Sequence, residues 1–223
     1  SIDDVMSKGK TGLTPDAFEA AANETGALVL DVRTEKEFVK GFVPRSVFIG
    51  LNGSFAPWVG AMIKDVKQPL LLVVDSDKLE EAITRLSRVG FDNILGYLEG
   101  GFDAWKNAGK ETDEITSISA DKFAADLSQT NYPVFDVRKD GEYKSEHVKE
   151  ANQTSLEFIN NHLAEFPTES PFYVHCAGGY RSVIAASILK ARGYHNVIDI
   201  AGGFNAIKNT DVDRTDYVCP TTL

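Results

Sequence analysis

The chain has 223 residues, room for one large or two ordinary domains. A hydrophobic fraction of 43% and a charged fraction of 25% are those of a soluble globular protein, and there is no run of about 18 apolar residues to predict a membrane span. A formal net charge of −10 argues against nucleic acid and anionic membrane as partners, because both repel an acidic surface.

In the first half, Thr14-Pro15 predicts a helix start over residues 15–24: the hydroxyl caps free N–H groups, and proline suits the first helical position. Short apolar runs at 27–32, 47–51, 70–74 and 93–97 read as strands. Helical patterns at 34–40, 56–64 and 78–88 separate them, and Gly90 reads as a C-cap. The polar stretch from Lys110 to Glu114 reads as a linker. In the second half Ser119 repeats the Thr14 cap, Pro133-Val134-Phe135 and Phe172-Tyr173-Val174 read as strands, and Gly193 repeats Gly90. Strands alternating with helices predict an α/β fold, a mainly parallel sheet with helices on both faces.

The halves repeat each other. Leu30-Asp31-Val32-Arg33 matches Phe135-Asp136-Val137-Arg138, and Gly100-Gly101-Phe102 matches Gly202-Gly203-Phe204. The matches keep their order at a period of about 100 residues, far longer than a solenoid repeat, so two whole domains are expected, 1–112 and 113–223.

The second half carries the stretch with chemistry in it, Tyr173-Val174-His175-Cys176-Ala177-Gly178-Gly179-Tyr180-Arg181-Ser182. A strand ends at the cysteine, two glycines follow, and a helix begins. N–H groups at a helix start favour an anion, and glycines let successive N–H groups turn inward around it. Arg181 adds a full positive charge, and a cysteine in such a field is expected as a reactive thiolate. Cys176 therefore reads as a nucleophile, with residues 177–181 as its cradle. In open parallel sheets ligands bind beyond the carboxyl ends of the strands, where Cys176 falls. The first half has no such loop: Val74-Asp75-Ser76-Asp77-Lys78-Leu79-Glu80-Glu81 holds four carboxylates, which suit helix capping and repel anions, so this half reads as silent.

The spacing Cys-x-x-Gly-x-Arg resembles the active-site loop of rhodanese-type sulfurtransferases. The Asp-x-Arg stretches and the duplication extend that resemblance over nearly the whole chain. It implies two rhodanese-like domains and an enzyme whose cysteine carries a sulfane sulfur as a persulfide. The sulfur would come from thiosulfate or a thiol persulfide and go to a thiol or cyanide, with no cofactor and with small-molecule donor and acceptor as partners. A low-molecular-weight persulfide is the expected donor. Pro57-Trp58-Val59-Gly60 and Gly96–Gly101 further resemble rhodanese domains joined to metallo-β-lactamase-fold persulfide enzymes, which raises a fused or separate persulfide-producing domain as a partner. The rival resemblance is to phosphatases and arsenate reductases with His-Cys-x5-Arg-Ser/Thr. His175 and Ser182 fit it, but the loop is one residue short and makes a smaller cradle. A non-catalytic sulfur carrier or binding module stays open as well.

Arg138 and Ser182 are secondary site candidates, although an Asp-x-Arg pair present also in the half without a cysteine reads as structural. His175 neighbours Cys176 in an extended strand and so points to the opposite face. The other histidines lack ligand-like spacing, and no metal site is expected. Cys219 reads as a passive tail cysteine. Two cysteines make no disulfide framework, and a thiolate suits a reducing compartment, so a cytoplasmic location is expected. The chain opens at Ser1 without Met or a signal-peptide pattern and reads as compatible with a piece of something longer.

Overall fold

A computed structural model describes residues 1–222; Leu223, the end of the expected second domain, lies outside the described residues. The chain divides into two units, Ser1–Glu114 and Ile115–Leu223, rather than between residues 112 and 113. The difference has a physical cause. Residues 110–114 are not a free linker but close the first unit: Trp105 Nε1 donates to the Glu111 carbonyl at 2.7 Å, Lys110 pairs with Asp16 at 2.7 Å and with Glu19, and Asp113 bridges Phe42.

The first unit runs α1 (Ile2–Gly9), β1 (Gly12–Leu13), α2 (Pro15–Thr25), β2 (Leu28–Asp31), α3 (Glu35–Lys40), β3 (Val47–Phe48), α4 (Phe55–Met62), β4 (Leu70–Val73), α5 (Leu79–Ser87), β5 (Ile94–Leu98) and α6 (Gly101–Asn107). Its sheet is all-parallel in the order β1-β5-β4-β2-β3. Helix α1 went unread in the sequence; Ser1 caps it, accepting from the Asp4 N–H. Thr14 caps α2 as expected, accepting from the Ala17 N–H at 3.2 Å. Central strand β4 is buried along its whole length, as a strand covered on both faces must be, which explains its unbroken Leu-Leu-Leu-Val. Phe18, Trp105, Leu71 and Val73 are among the residues that form the core on one face of this sheet.

The second unit runs β6 (Thr116–Ile118), α7 (Ala120–Thr130), β7 (Val134–Asp136), α8 (Asp140–Ser145), β8 (Asn152–Gln153), β9 (Phe172–His175), α9 (Tyr180–Ala191), β10 (Val197–Ile200) and α10 (Gly203–Ile207). Its sheet, again all-parallel, has the order β6-β10-β9-β7-β8, the same topology as the first. Ser119 caps α7 through the Lys122 N–H at 3.1 Å. Helix α9 is buried from Ser182 to Leu189, so it is a core helix with Ala and Ile on all sides. Helix α5 buries one stripe only, Leu79, Ala82, Ile83 and Leu86.

Each unit carries the same chelated pair. Asp136 accepts from the backbone N–H of Arg138 at 3.0 Å and from its guanidinium at 2.7–3.1 Å, and the guanidinium also donates to the Glu146 carbonyl at 2.8 Å. Asp31 and Arg33 repeat that geometry, with Gly41 supplying the carbonyl at 2.8 Å. Burial pushes the Asp31 carboxyl up, and its arginine opposes that shift. Cutting one partner from such a buried pair typically costs about 3–5 kcal/mol, so these residues hold the loop that follows each strand.

Candidate active site

Strand β9 is held in register between β7 and β10, with Asp136 paired to His175 and Asp199 to Val174. That register brings Cys176 to the carboxyl edge of the sheet. Its thiol is free and only 1% exposed. The Gly179 N–H donates to Cys176 Sγ at 3.1 Å, the inward-turned N–H that glycine permits. Gly179 has φ +106° and caps the start of α9, so the sulfur sits on the positive end of that helix.

The loop is shaped from behind by α10. The Phe204 N–H donates to the Cys176 carbonyl at 2.7 Å, and the Asn205 N–H to the Ala177 carbonyl at 2.9 Å. Both carbonyls are thereby turned toward α10. A Cβ on Gly203, φ +56°, would stand 2.4 Å from the Cys176 oxygen, so only glycine fits there. Gly178 is exposed at the loop tip, while Ala177 and Tyr180 are half-buried.

Arg181 is not the free charge expected from the sequence. It forms a two-pronged pair with Glu142 of α8, at 2.8 and 2.9 Å. The Arg181 hydrogen bond holds the Glu142 carboxyl below its usual range, and Glu142 in turn raises Arg181. Glu142 also accepts the Lys139 N–H at 3.1 Å, so it caps α8 while it orients the arginine. Ser182 lies directly behind the sulfur, 3.5 Å from it. Its hydroxyl donates to Asp199 at 2.7 Å, and Asp199 also accepts from Ser117 at 2.8 Å. Glu142, Asp199, Ser117 and Gly203 were not singled out as site residues in the sequence; the internal repeat carries a signal only for Asp199 and Ser117, because the first half keeps Glu37 and Gly101 at the places of the other two.

Arg138 is 5% exposed, bound to Asp136 and stacked over Phe204 at 4.1 Å, occupied in holding the scaffold. His175 is fully buried, its Nε2 is 3.8 Å from Asp136 and without a hydrogen-bond partner, and burial lowers its pKa and favours the neutral ring. Cys219 is exposed and bonded to Thr221 at 3.0 Å, a contact that lowers its thiol pKa. Among the described residues no cluster of three or more His, Cys, Asp or Glu could hold a metal ion, and no helix is long and apolar enough to cross a membrane.

At the equivalent edge of the first sheet Asp31 pairs with Val73, so Val74 stands at the position of Cys176. A 3-10 turn, Ser76–Lys78, replaces the loop, and no side chain caps it or α5, contrary to the capping expected of its carboxylates. A cavity of about 190 Å³ opens there beside Arg33, Asp75 and Lys78. Gly101 is the counterpart of Gly203, and a Cβ on it would meet nothing within 4 Å.

A family model described as the rhodanese-like domain matches residues 14–108 and again 119–210. Among characterised and uncharacterised relatives, the chain is 30% identical over 90 residues to "Uncharacterized protein YqhL" of Bacillus subtilis, covering 40% of this chain and 70% of that one. It is 29% identical over 75 residues to "Thiosulfate sulfurtransferase GlpE" of Coxiella burnetii, covering 34% and 70%. Among solved structures, a rhodanese-like domain protein from Staphylococcus aureus is 26% identical at a TM-score of 0.41, over 44% of this chain and 97% of that one. A thiosulfate sulfurtransferase from Pseudomonas aeruginosa is 19% identical at a TM-score of 0.41, over 93% of this chain and 44% of that one.

Proposed function

Because the chain belongs to the rhodanese-like domain family, we propose that its second domain is a sulfurtransferase with Cys176 as the nucleophile. The observation that carries this reading is the free thiol of Cys176, met by the Gly179 N–H at 3.1 Å at the start of α9. The thiolate attacks the outer sulfur of a sulfane donor, the S–S bond of the donor breaks, and the rest of the donor, a thiolate from a persulfide or sulfite from thiosulfate, leaves with the electron pair. Cys176 then carries a persulfide whose negative outer sulfur the loop N–H groups stabilise. An acceptor thiolate attacks that outer sulfur and returns Cys176 to its starting state. The two half-reactions give ping-pong kinetics.

The donor class follows from charge. Arg181 is the cation of the loop, and Glu142 neutralises it. A small dianion such as thiosulfate therefore finds little net positive charge, in a protein of net charge −10. A thiol persulfide brings its reactive sulfur with less charge and an organic part that packs against Tyr180. A thiol persulfide is thus the preferred donor, with thiosulfate working at high KM. The test of the reaction is mass spectrometry after incubation with a sulfane donor. A gain of about 32 mass units, one sulfur atom, on the Cys176 peptide is expected of the covalent intermediate; no gain with any donor overturns the reading. Values of kcat/KM for the two donors, measured with one acceptor, test the preference; equal values or a preference for thiosulfate remove it.

A further inference from the structure

Behind the sulfur lies a chain of hydrogen bonds that sulfur transfer as set out above does not use. The Cys176 thiol donates to Ser182 Oγ at 3.5 Å, the Ser182 hydroxyl donates to Asp199 Oδ1 at 2.7 Å, and the Ser117 hydroxyl donates to Asp199 Oδ2 at 2.8 Å. Cys176, Ser182 and Asp199 are 1%, 0% and 2% exposed. A carboxylate this deep in a parallel sheet is costly unless it is hydrogen-bonded, and the Ser182 and Ser117 hydroxyls donate to it.

The first domain indicates what it serves. Asp199 pairs in register with Val174 and with Ser117. The same registers pair Leu72 with Tyr97, and Tyr97 with Gly12. Counting back from the helix-terminal glycines Gly193 and Gly90, Ser182 corresponds to Leu79. So Cys176, Ser182, Asp199 and Ser117 correspond to Val74, Leu79, Tyr97 and Gly12 in the domain without a cysteine. The Asp-x-Arg pair survives there; the chain behind the thiol is lost at every position.

We propose that Asp199, acting through Ser182, accepts the proton of Cys176 and so generates the thiolate. The thiol proton passes to Ser182 Oγ while the proton of Ser182 passes to Asp199 Oδ1. The products are a thiolate, an unchanged serine and a neutral Asp199 carboxyl. One buried negative charge exists before and after; it moves from a carboxylate held by two hydroxyls to a sulfur held by the Gly179 N–H at the start of α9. Asp199 is a positioning residue in this scheme, since it reaches the sulfur only through Ser182. The scheme rests on Cys176 being the nucleophile of the proposed sulfur transfer.

Other ionisable groups surround the relay, each with its own partner or burial. Arg181 of α9 and Glu142 of α8 stay a charged pair, since each shifts the other away from neutrality. His175 of β9 is held neutral by burial. Asp136 and Arg138 of β7 are locked in their chelate, and the Tyr173 hydroxyl of β9 bonds to Thr130 at 3.0 Å. Strand β6 and helix α10 carry no ionisable side chain. Because the proton moves inside the protein, the thiolate population between the two macroscopic steps of the pair does not depend on bulk pH.

The test is the rate of Cys176 alkylation by iodoacetamide against pH, in the full chain with Cys219→Ser to leave one thiol. The parent is expected to show a plateau across the neutral range. Asp199→Asn keeps the acceptor oxygen for Ser182 but cannot take a proton. It should restore an ordinary single-thiol titration, rising about tenfold per pH unit, with a rate at pH 6–7 at least about tenfold below the parent. Ser182→Ala should give the same profile by breaking the path. If Asp199 is only a fixed anion, its removal takes a like charge from beside the sulfur and the rate rises; that outcome, or an unchanged profile, overturns the proposal. The parent tests it without any change to the relay, since a plain single-thiol titration there also overturns it. Persulfide formation on Cys176 is read separately by mass. Alkylation profiles as expected without persulfide would sink the sulfurtransferase reading alone; persulfide without the plateau would sink the relay alone.

Discussion

At the end of β4 the chain runs from Val74 through a 3-10 turn into α5, which buries one stripe; at the end of β9 it runs from Cys176 through two glycines into α9, which is buried almost throughout. The sheets that present these two edges have the same strand order, the same Asp-x-Arg chelate and the same arginine stacked over a phenylalanine, Arg33 on Phe102 and Arg138 on Phe204. Glu37 and Glu142 both cap the following helix. What the first domain lacks lies at this edge: the cysteine, its loop, and the Ser182–Asp199–Ser117 chain of hydrogen bonds behind it. Fold and candidate site are therefore separable here: the strand pairings that set the sheet order do not involve the cysteine, and the first copy has the same scaffold without it.

The largest expected effect is Cys176→Ser, which makes the second edge resemble the first. Sulfur transfer should fall on the order of a thousandfold or more, as when a covalent nucleophile is removed, while circular dichroism stays unchanged. Cys219→Ser should leave turnover intact; a loss there would break the assignment of a single working cysteine.

Next is the glycine pair. Gly203→Ala and Gly101→Ala share the cost of a left-handed φ, about 1–2 kcal/mol. Only Gly203→Ala also drives a Cβ into the Cys176 carbonyl, adding about 1–3 kcal/mol of overpacking and displacing the loop. Denaturant melts should separate the two variants by that margin, with activity lost only in the first. Equal melts would show that α10 does not shape the loop.

A smaller effect is expected from Glu142→Gln, which frees Arg181. The pair is partly exposed, at 18% and 36%, so the stability loss is about 1 kcal/mol at neutral pH. Its sign with pH is set by the lowered Glu142 value. The carboxylate's contribution is present above its ordinary 4.5 and disappears as pH falls through the lower folded value. The gap between parent and variant should close in acid, and a gap that widens there contradicts the pairing. Freeing Arg181 should also lower the KM for thiosulfate several-fold, a direct readout of the charge argument.

The smallest expected effect is Val74→Cys. It places a thiol at the first edge but supplies neither loop, Ser182, nor Asp199, so the variant in a Cys176→Ser background should show no sulfur transfer. Measurable transfer would show that the cysteine alone suffices.

Much of this was readable along the chain. Caps at Thr14 and Ser119 involve residues three apart, and the left-handed glycines Gly90 and Gly193 act within one turn, so local chemistry determined them. The duplication, the alternation of strand and helix, and the cysteine followed by glycines and a helix start were legible for the same reason. The pairing of Arg181 was not, because its partner Glu142 lies 39 residues away and arrives only when β7 and β9 pair. Asp199 was not, because it reads as one polar residue in an apolar strand until parallel register sets it beside Ser117, 82 residues earlier, and beneath α9. Sequence by itself determined what near neighbours decide: most elements, the caps at Thr14 and Ser119, and the repeat. Only the tertiary structure decided which charges meet and which stay free, since in a parallel sheet every neighbour is brought in by a crossover and its identity depends on register, not on spacing.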